Sequence, residues 1–371
     1  MVGLVHIVTV ARGSAQLIGD DAGEIARTVV HRLHAFEVVA DEFRIVRRRA
    51  PEGAVAAPFR GVDVRPVDDV ETQFVAQGVE PCGLRIVRAD RVLSFGLQGF
   101  QLRERRLAVG GGVVTDLAGF VAGTFGRGIP FLNYATTLLA AADASIGGKT
   151  AVDTPLATNL IGLFNQPKKV YIDIASWKTL PKRQLVSGLA ETIKHACMAD
   201  IEFFAYLEDH MDDIFAFKPE VLEHVAEQNC RIKYEVVMKD ELEKSLREIL
   251  NLGHTVGRAI ETVSGYQLLH GEALGIGLTA EVRLGNSYGY ISAADVDRVV
   301  SLLKKAGLPT EIPDYIDREE LIHKLYTDKK VRDGKLRFVF QKGIGAVMEF
   351  ENGSYARMVA EEDARRIIEE M

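Results

Sequence analysis

The chain has 371 residues, 47% of them hydrophobic and 26% charged, with a formal net charge of -7. That length exceeds what one hydrophobic core supports, so two domains are expected, and the composition is that of a folded enzyme rather than a disordered chain. The negative balance argues against nucleic acid as a partner, and no apolar run is long enough for a membrane helix.

Three scattered cysteines, Cys82, Cys197 and Cys230, do not suit a disulfide framework or a cysteine-based zinc site. The first residues lack the basic start, apolar run and cleavage site of a signal peptide, so a cytoplasmic protein is expected.

In chain order, residues 22–34 have the periodicity of an amphipathic helix, and Phe36 to Ala40 follows as a short strand ending at Asp41. The stretch from about 47 to 83 is rich in Arg, Pro and Gly and has weak periodicity. A helix-like segment over 88–104 leads to an apolar strand, Arg106 to Val109, then to Gly110-Gly111-Gly112 and a small-residue helix, Leu117 to Thr124. Strand, glycine turn and helix in that order make a nucleotide-binding α/β unit, which further strands at 129–134 and 170–173 extend. Beyond residue 178 the pattern turns helical, over 182–199, 201–214, 218–239, 253–263, 271–287, 293–306 and 318–326, with β-like pieces only at 336–350. The fold class expected is therefore α/β, with a Rossmann-like nucleotide-binding domain over 1–177 and a mainly helical domain over 178–371.

Several groups of residues suit chemistry. The glycines at 110–112 would let backbone amides approach a pyrophosphate at a helix start, although a plain tight turn uses the same residues. Asp116 suits a ribose hydroxyl or a helix cap. Asp143-Ala-Ser-Ile-Gly-Gly-Lys149 joins a carboxylate, paired glycines and a lysine, a combination that suits a phosphate. Thr136 and Thr137 suit a local cap or a cofactor contact.

Glu191, Lys194 and His195 fall on one helix, with 191 facing both 194 and 195. Two later histidines, His254 and His270, each lie beside a glycine. One carboxylate with two histidines is a common open zinc site, while isolated histidines are more often ordinary core or surface residues. Arg247, Asn251, His254 and Arg258 would share one helical face if that segment is continuous.

Taken together, these pieces resemble the 3-dehydroquinate synthases and the wider sugar phosphate cyclase family, from about Arg106 to Leu336. The resemblance is carried by GGGVVTDLAGF at 110–120, TTLLAAADASIGGKTAV at 136–152, SGLAETIKH at 187–195, LNLGHT at 250–255 and HGEAL at 270–274. It implies that Glu191, His254 and His270 bind a divalent metal, zinc or alternatively cobalt. It implies that Gly111, Gly112, Asp116, Thr136, Thr137, Lys149, Thr179 and, more loosely, Asp41 hold NAD. Catalytic or substrate positions would be Asp143, Lys149, Asn159, Lys194, Lys233, Arg247, Asn251, Arg258, Lys329 and Lys330. Arg127 matches an arginine that in the family reaches the neighbouring subunit's site, which implies a homodimer.

The implied reaction is hydride removal by NAD, phosphate elimination, hydride return and an intramolecular aldol closure, with no net redox change. The substrate it implies is 3-deoxy-arabino-heptulosonate 7-phosphate, because Arg247 and Lys233 would make a cationic fork for a carboxylate. Departures keep alternatives in view: Arg258 replaces a histidine, Thr158 replaces a lysine, Thr115 stands where glycine is frequent, and the family's Gly-Glu-x-x-Lys segment is not found. The alternatives are an amino-dehydroquinate, valiolone- or inosose-type cyclase, an NAD- and metal-dependent polyol dehydrogenase, or a homologue that binds without catalysis.

Overall fold

The computed structural model describes residues 4–9, 34–37, 87–88, 106–154, 157–327 and 336–371. A six-stranded sheet has the order β2-β1-β8-β5-β4-β3. Its strands are β1 (Leu4–Thr9), β2 (His34–Glu37), β3 (Val87–Arg88), β4 (Arg106–Gly110), β5 (Phe131–Ala135) and β8 (Lys169–Asp173). The four inner strands run parallel, and β2 and β3 pair antiparallel at the two edges. All five residues of β5 are buried, as a strand covered on both faces requires.

The strand expected over 36–40 lies at His34–Glu37, so the helix expected to reach residue 34 gives way to a strand there, and 22–33 fall outside the described residues. The helix expected from 88 likewise starts on a residue that pairs with Arg106 in the sheet, and 89–104 are outside the described residues.

Helix α1 (Gly112–Thr124) begins at the glycine triplet, five residues before its apolar periodicity suggests. A hairpin that periodicity did not reveal, β6 (Lys149–Thr154) with β7 (Ala157–Phe164), packs against α1.

The later part is helical as expected. It contains α2 (Lys182–Ala199), α3 (Ile201–Phe215), α4 (Pro219–Lys239), α5 (His254–Val263), α6 (His270–Ser287), α7 (Ala293–Lys305) and α8 (Arg318–Thr327). The breaks have local causes: Pro181 precedes α2, the Asp200 carboxylate caps α3 by accepting from the Phe203 amide, and Ser292 caps α7. A two-stranded sheet, β9 (Leu336–Val339) with β10 (Ala356–Val359), and α9 (Glu361–Glu369) complete the described chain.

The larger core runs without a gap from Ala135, Ile146 and Ile172 of the α/β part into Leu189, Val225 and Leu278 of the helices. Within it α2, α5 and α6 are unusually close. A Cβ on Gly271 would lie 1.9 Å from the Ser187 carbonyl oxygen, and one on Gly277 would lie 2.0 Å from that of Gly253. Only glycine fits there, and this approach brings three distant segments to one point. Among the described residues no helix is long and apolar enough to cross a membrane.

Candidate metal and cofactor site

The point where α2, α5 and α6 meet is occupied by Glu191, His254 and His270, whose ligand atoms lie within 4.8 Å of one another. Glu191 Oε1 is 3.4 Å from His254 Nε2 and 3.2 Å from His270 Nε2. Two donors about 2.1 Å from a tetrahedral ion stand about 3.4 Å apart, so these separations suit ligands sharing one cation.

The hydrogen bonds support the same fit. His254 Nδ1 faces the Leu252 carbonyl oxygen at 3.2 Å, and His270 Nδ1 faces Glu261 Oε2 at 3.3 Å. Both partners accept, so each Nδ1 carries a proton, and in a neutral ring Nε2 presents its lone pair. Two lone pairs then converge on a carboxylate oxygen, and only a proton or a cation between them relieves the repulsion. Glu261 orients His270 as outer carboxylates orient metal-binding histidines.

Without a cation the two rings differ in charge. Burial disfavours the charged form of His270, yet the Glu191 and Glu261 carboxylates push it up to about 10. Burial and the Lys194 ammonium bring His254 down to about 3, with a smaller contribution from Arg258. Burial alone would raise Glu191, but Lys194 and the two histidines hold it well below the carboxylate range.

Around this centre lies a layer of charged groups. Lys194, 1% exposed, is ion-paired with Glu191 Oε2 and donates to the Leu250 carbonyl at 3.0 Å. Asp143, on a π-helical turn over Ala140–Ala144, receives Lys233 Nζ on Oδ1 at 2.7 Å, and Lys233 also donates to the Asp143 carbonyl. Asp143 lies with Glu191 and His195 in a second group of ligand-type atoms within 4.8 Å. His195 is fixed by Asn229, whose Oδ1 is 2.9 Å from Nδ1, and its buried Nε2 has no hydrogen-bond partner among the described residues.

Arg247 is 1% exposed and donates to the carbonyls of Glu241 at 2.5 Å and Gly147 at 2.8 Å, while its Nε lacks a partner among the described residues. Lys149 is ion-paired with Glu243, which also accepts from Asn251 Nδ2 at 3.2 Å. The continuous helical face proposed for 247–258 is not present. Leu246–Asn251 is a 3-10 turn, Gly253 turns left-handed at φ 78°, and α5 starts only at His254.

The acid response follows from these pairs. Burial would raise Asp143, but Lys233 and Lys194 hold it below the usual range. Its contribution to stability is therefore complete above the unfolded value of about 4 and drains away as pH falls towards the folded value. In the metal-free protein the acid limb of the Tm–pH curve is expected to be shallower for Asp143→Asn than for wild type; parallel curves would contradict this.

Gly111, Gly112, Thr136, Thr137 and Thr179 of the cofactor candidates follow the carboxyl ends of the parallel strands, where such sheets bind ligands, whereas Lys149 opens the β6 hairpin. Gly111 and Gly112 follow β4, and a Cβ on Gly111 would stand 3.1 Å from Thr137 at the end of β5. Thr136 is tied to the segment after β8: Ser176 Oγ donates to its carbonyl at 2.9 Å, and Thr179 Oγ1 donates to the Ser176 carbonyl at 2.8 Å. Asp116 lies on the first turns of α1. The glycines leave backbone at the carboxyl end of β4 beside a helix start, which fits a dinucleotide pyrophosphate.

Comparison with known proteins shows the family. The family descriptions 3-dehydroquinate synthase N-terminal and 3-dehydroquinate synthase C-terminal match residues 89–187 and 188–331. A 3-dehydroquinate synthase of Caldanaerobacter subterraneus subsp. tengcongensis is 44% identical over 261 residues, 70% of this chain and 73% of that protein. The chain belongs to the 3-dehydroquinate synthase family.

A second member, from Pelobacter propionicus, is 50% identical over 240 residues, 64% of this chain and 67% of its own. Two solved structures share the fold. A 2-epi-5-epi-valiolone synthase from Streptomyces hygroscopicus subsp. jinggangensis with NAD+ and Zn2+ bound is 27% identical, with a TM-score of 0.65 over 72% of this chain and 74% of that one. A 2-deoxy-scyllo-inosose synthase complexed with carbaglucose-6-phosphate, NAD+ and Co2+ is 28% identical, with a TM-score of 0.65 over 71% and 73%.

Not every position that the resemblance to the 3-dehydroquinate synthase family marked joins the buried cluster. Arg127 (φ 68°) and Asn159 (φ 53°) are exposed surface residues, Arg258 is exposed on α5, and Asp41, Lys329 and Lys330 lie outside the described residues. Conversely, Glu243 and Glu261 touch the cluster without having been singled out in the sequence.

Proposed function

We propose that this chain is a 3-dehydroquinate synthase, converting 3-deoxy-arabino-heptulosonate 7-phosphate to 3-dehydroquinate and phosphate. The observation that carries the reading is the convergence of His254 and His270 on one oxygen of Glu191. Under it, Glu191, His254 and His270 hold a divalent cation, zinc or alternatively cobalt. Gly111, Gly112, Asp116, Thr136, Thr137, Lys149, Thr179 and Asp41 serve NAD. The NAD-binding part is assigned to 1–177 and the metal- and substrate-binding part to 178–371. The protein works in the cytoplasm as a homodimer, with Arg127 reaching the partner's site.

When bound, NAD supplies reversible hydride transfer and the cation supplies positive charge at the alcohol oxygen being oxidised. The chain's own residues do the rest. Lys194, buried beside Glu191, keeps the site positive where an alkoxide develops. Asp143 and Lys233 form a fixed pair able to hold a substrate hydroxyl from both sides, as acceptor and donor. Lys149 and Asn251, now on the Glu243 carboxylate, are placed to take a phosphate or carboxylate oxygen in its stead. Arg258 stays charged, so it serves an anion and moves no proton.

Purified protein with substoichiometric NAD and Zn2+ or Co2+ is expected to release inorganic phosphate from the heptulosonate phosphate for many turnovers without accumulating NADH. Release only from sedoheptulose 7-phosphate or glucose 6-phosphate would transfer the reading to a valiolone- or inosose-type cyclase. Stoichiometric NADH without phosphate would mark a polyol dehydrogenase.

A further inference from the structure

We infer that Glu281 is a positioning residue for the metal ligand His254, acting through the backbone on either side of it. This rests on the metal reading above. Glu281 lies on α6, is 1% exposed, and its carboxylate accepts from the Gly253 amide at 2.6 Å and from the Thr255 amide at 3.3 Å. His254 is the residue between those two amides and the first residue of α5.

The chain needs an outside group there. The first amides of a helix have no intrahelical partner, and the residue preceding α5 is Gly253, which has no side chain with which to cap them. Glu281 supplies the cap from a neighbouring helix, its two carboxyl oxygens accepting from the amides on either side of His254. His254 is then fixed twice: its ring by the Leu252 carbonyl and its backbone by Glu281.

The same helix carries the other histidine. His270 opens α6, and Glu281 follows about three turns later. Between them Gly277 allows the Gly253 carbonyl to rest on the helix, since a Cβ would lie 2.0 Å from it. One rigid element therefore sets where both imidazoles stand relative to each other. Metal donors tolerate displacements of only about 0.2 Å, so loosening this clamp weakens the site without touching a ligand.

The test compares wild type, Glu281→Gln, Glu281→Asp and, as a control on the same helix, Arg283→Ala, whose side chain pairs with Glu311. Zn2+ affinity is read by competition with a chromophoric chelator, and site geometry by the visible absorption of the Co2+ form. Glu281→Gln keeps one acceptor but turns an NH2 towards the second amide. It is expected to bind Zn2+ about 10–100-fold more weakly, the range for outer partners of metal ligands, and to shift the Co2+ band. Glu281→Asp, one methylene short, is expected to weaken binding as well, and Arg283→Ala to match wild type. Wild-type affinity and an unshifted Co2+ band in a folded Glu281 variant overturn the inference, whatever happens to Tm. A wild-type protein that binds neither ion overturns the metal reading itself, which is a different result from the first.

Discussion

Glu191→Gln is expected to abolish tight metal binding and to lower phosphate release by on the order of 10³-fold, the effect of losing several kcal/mol of charge stabilisation at the reacting oxygen. The amide keeps the shape of the side chain but removes the charge on which both histidines and Lys194 converge. Its stability should fall as well. Lys194 is 1% exposed, and removing one partner of a buried pair costs about 3–5 kcal/mol because the other charge stays buried. Burial of the remaining ammonium is only partly offset by its bond to the Leu250 carbonyl. Metal content after dialysis, Tm and turnover measured on one preparation check all three. A variant that keeps its metal and loses only activity would remove Glu191 from the ligand set and leave it a catalytic group.

What the sequence made legible and what it hid divide along the reach of the interactions. The helices over 182–199 and 201–214 were readable because apolar periodicity runs between local stops, Pro181 and Asp200. The glycine triplet and the blocks around Glu191, His254 and His270 were readable as local strings. The β6–β7 hairpin was not, because residues 159–164 of β7 are exposed apart from the half-buried Leu163, so that strand lacks a buried face with a period of two. The helical face that 247–258 would share if continuous is interrupted at Gly253, whose left-handed backbone answers to a carboxylate 28 residues away on another helix. Glu243, Glu261 and Glu281 are three of 52 acidic residues, and nothing nearby in sequence distinguishes them from solvated ones. Their roles depend on tertiary contacts with Lys149, His270 and the Gly253 amide.

Arg247→Ala is expected to lower kcat/KM for the carboxylate-bearing substrate by about 30-fold to a few thousand-fold, the effect of about 2–5 kcal/mol for truncating a buried, hydrogen-bonded charge. The sequence suggested a free fork made with Lys233, but in the fold each cation already has partners. Lys233 is bonded to Asp143, and Arg247 to the carbonyls of Glu241 and Gly147. Five guanidinium N–H groups exceed those two bonds, and Nε is buried without a partner among the described residues, so donors remain for an anion. The same two bonds tie the Gly147 loop, which leads to Lys149, against the segment before α5. Alanine therefore removes an anion donor and releases the loop, and the two losses can be separated by substrate. A pure anion role lowers kcat/KM for the heptulosonate phosphate and leaves any turnover of a neutral sugar phosphate unchanged, whereas release of the loop lowers both. Arg247→Lys should not rescue either effect, because one ammonium on a flexible stem does not reproduce a planar fork spanning two carbonyls. Full activity in Arg247→Lys would show that charge alone matters here and would remove the geometric argument for a carboxylate-bearing substrate.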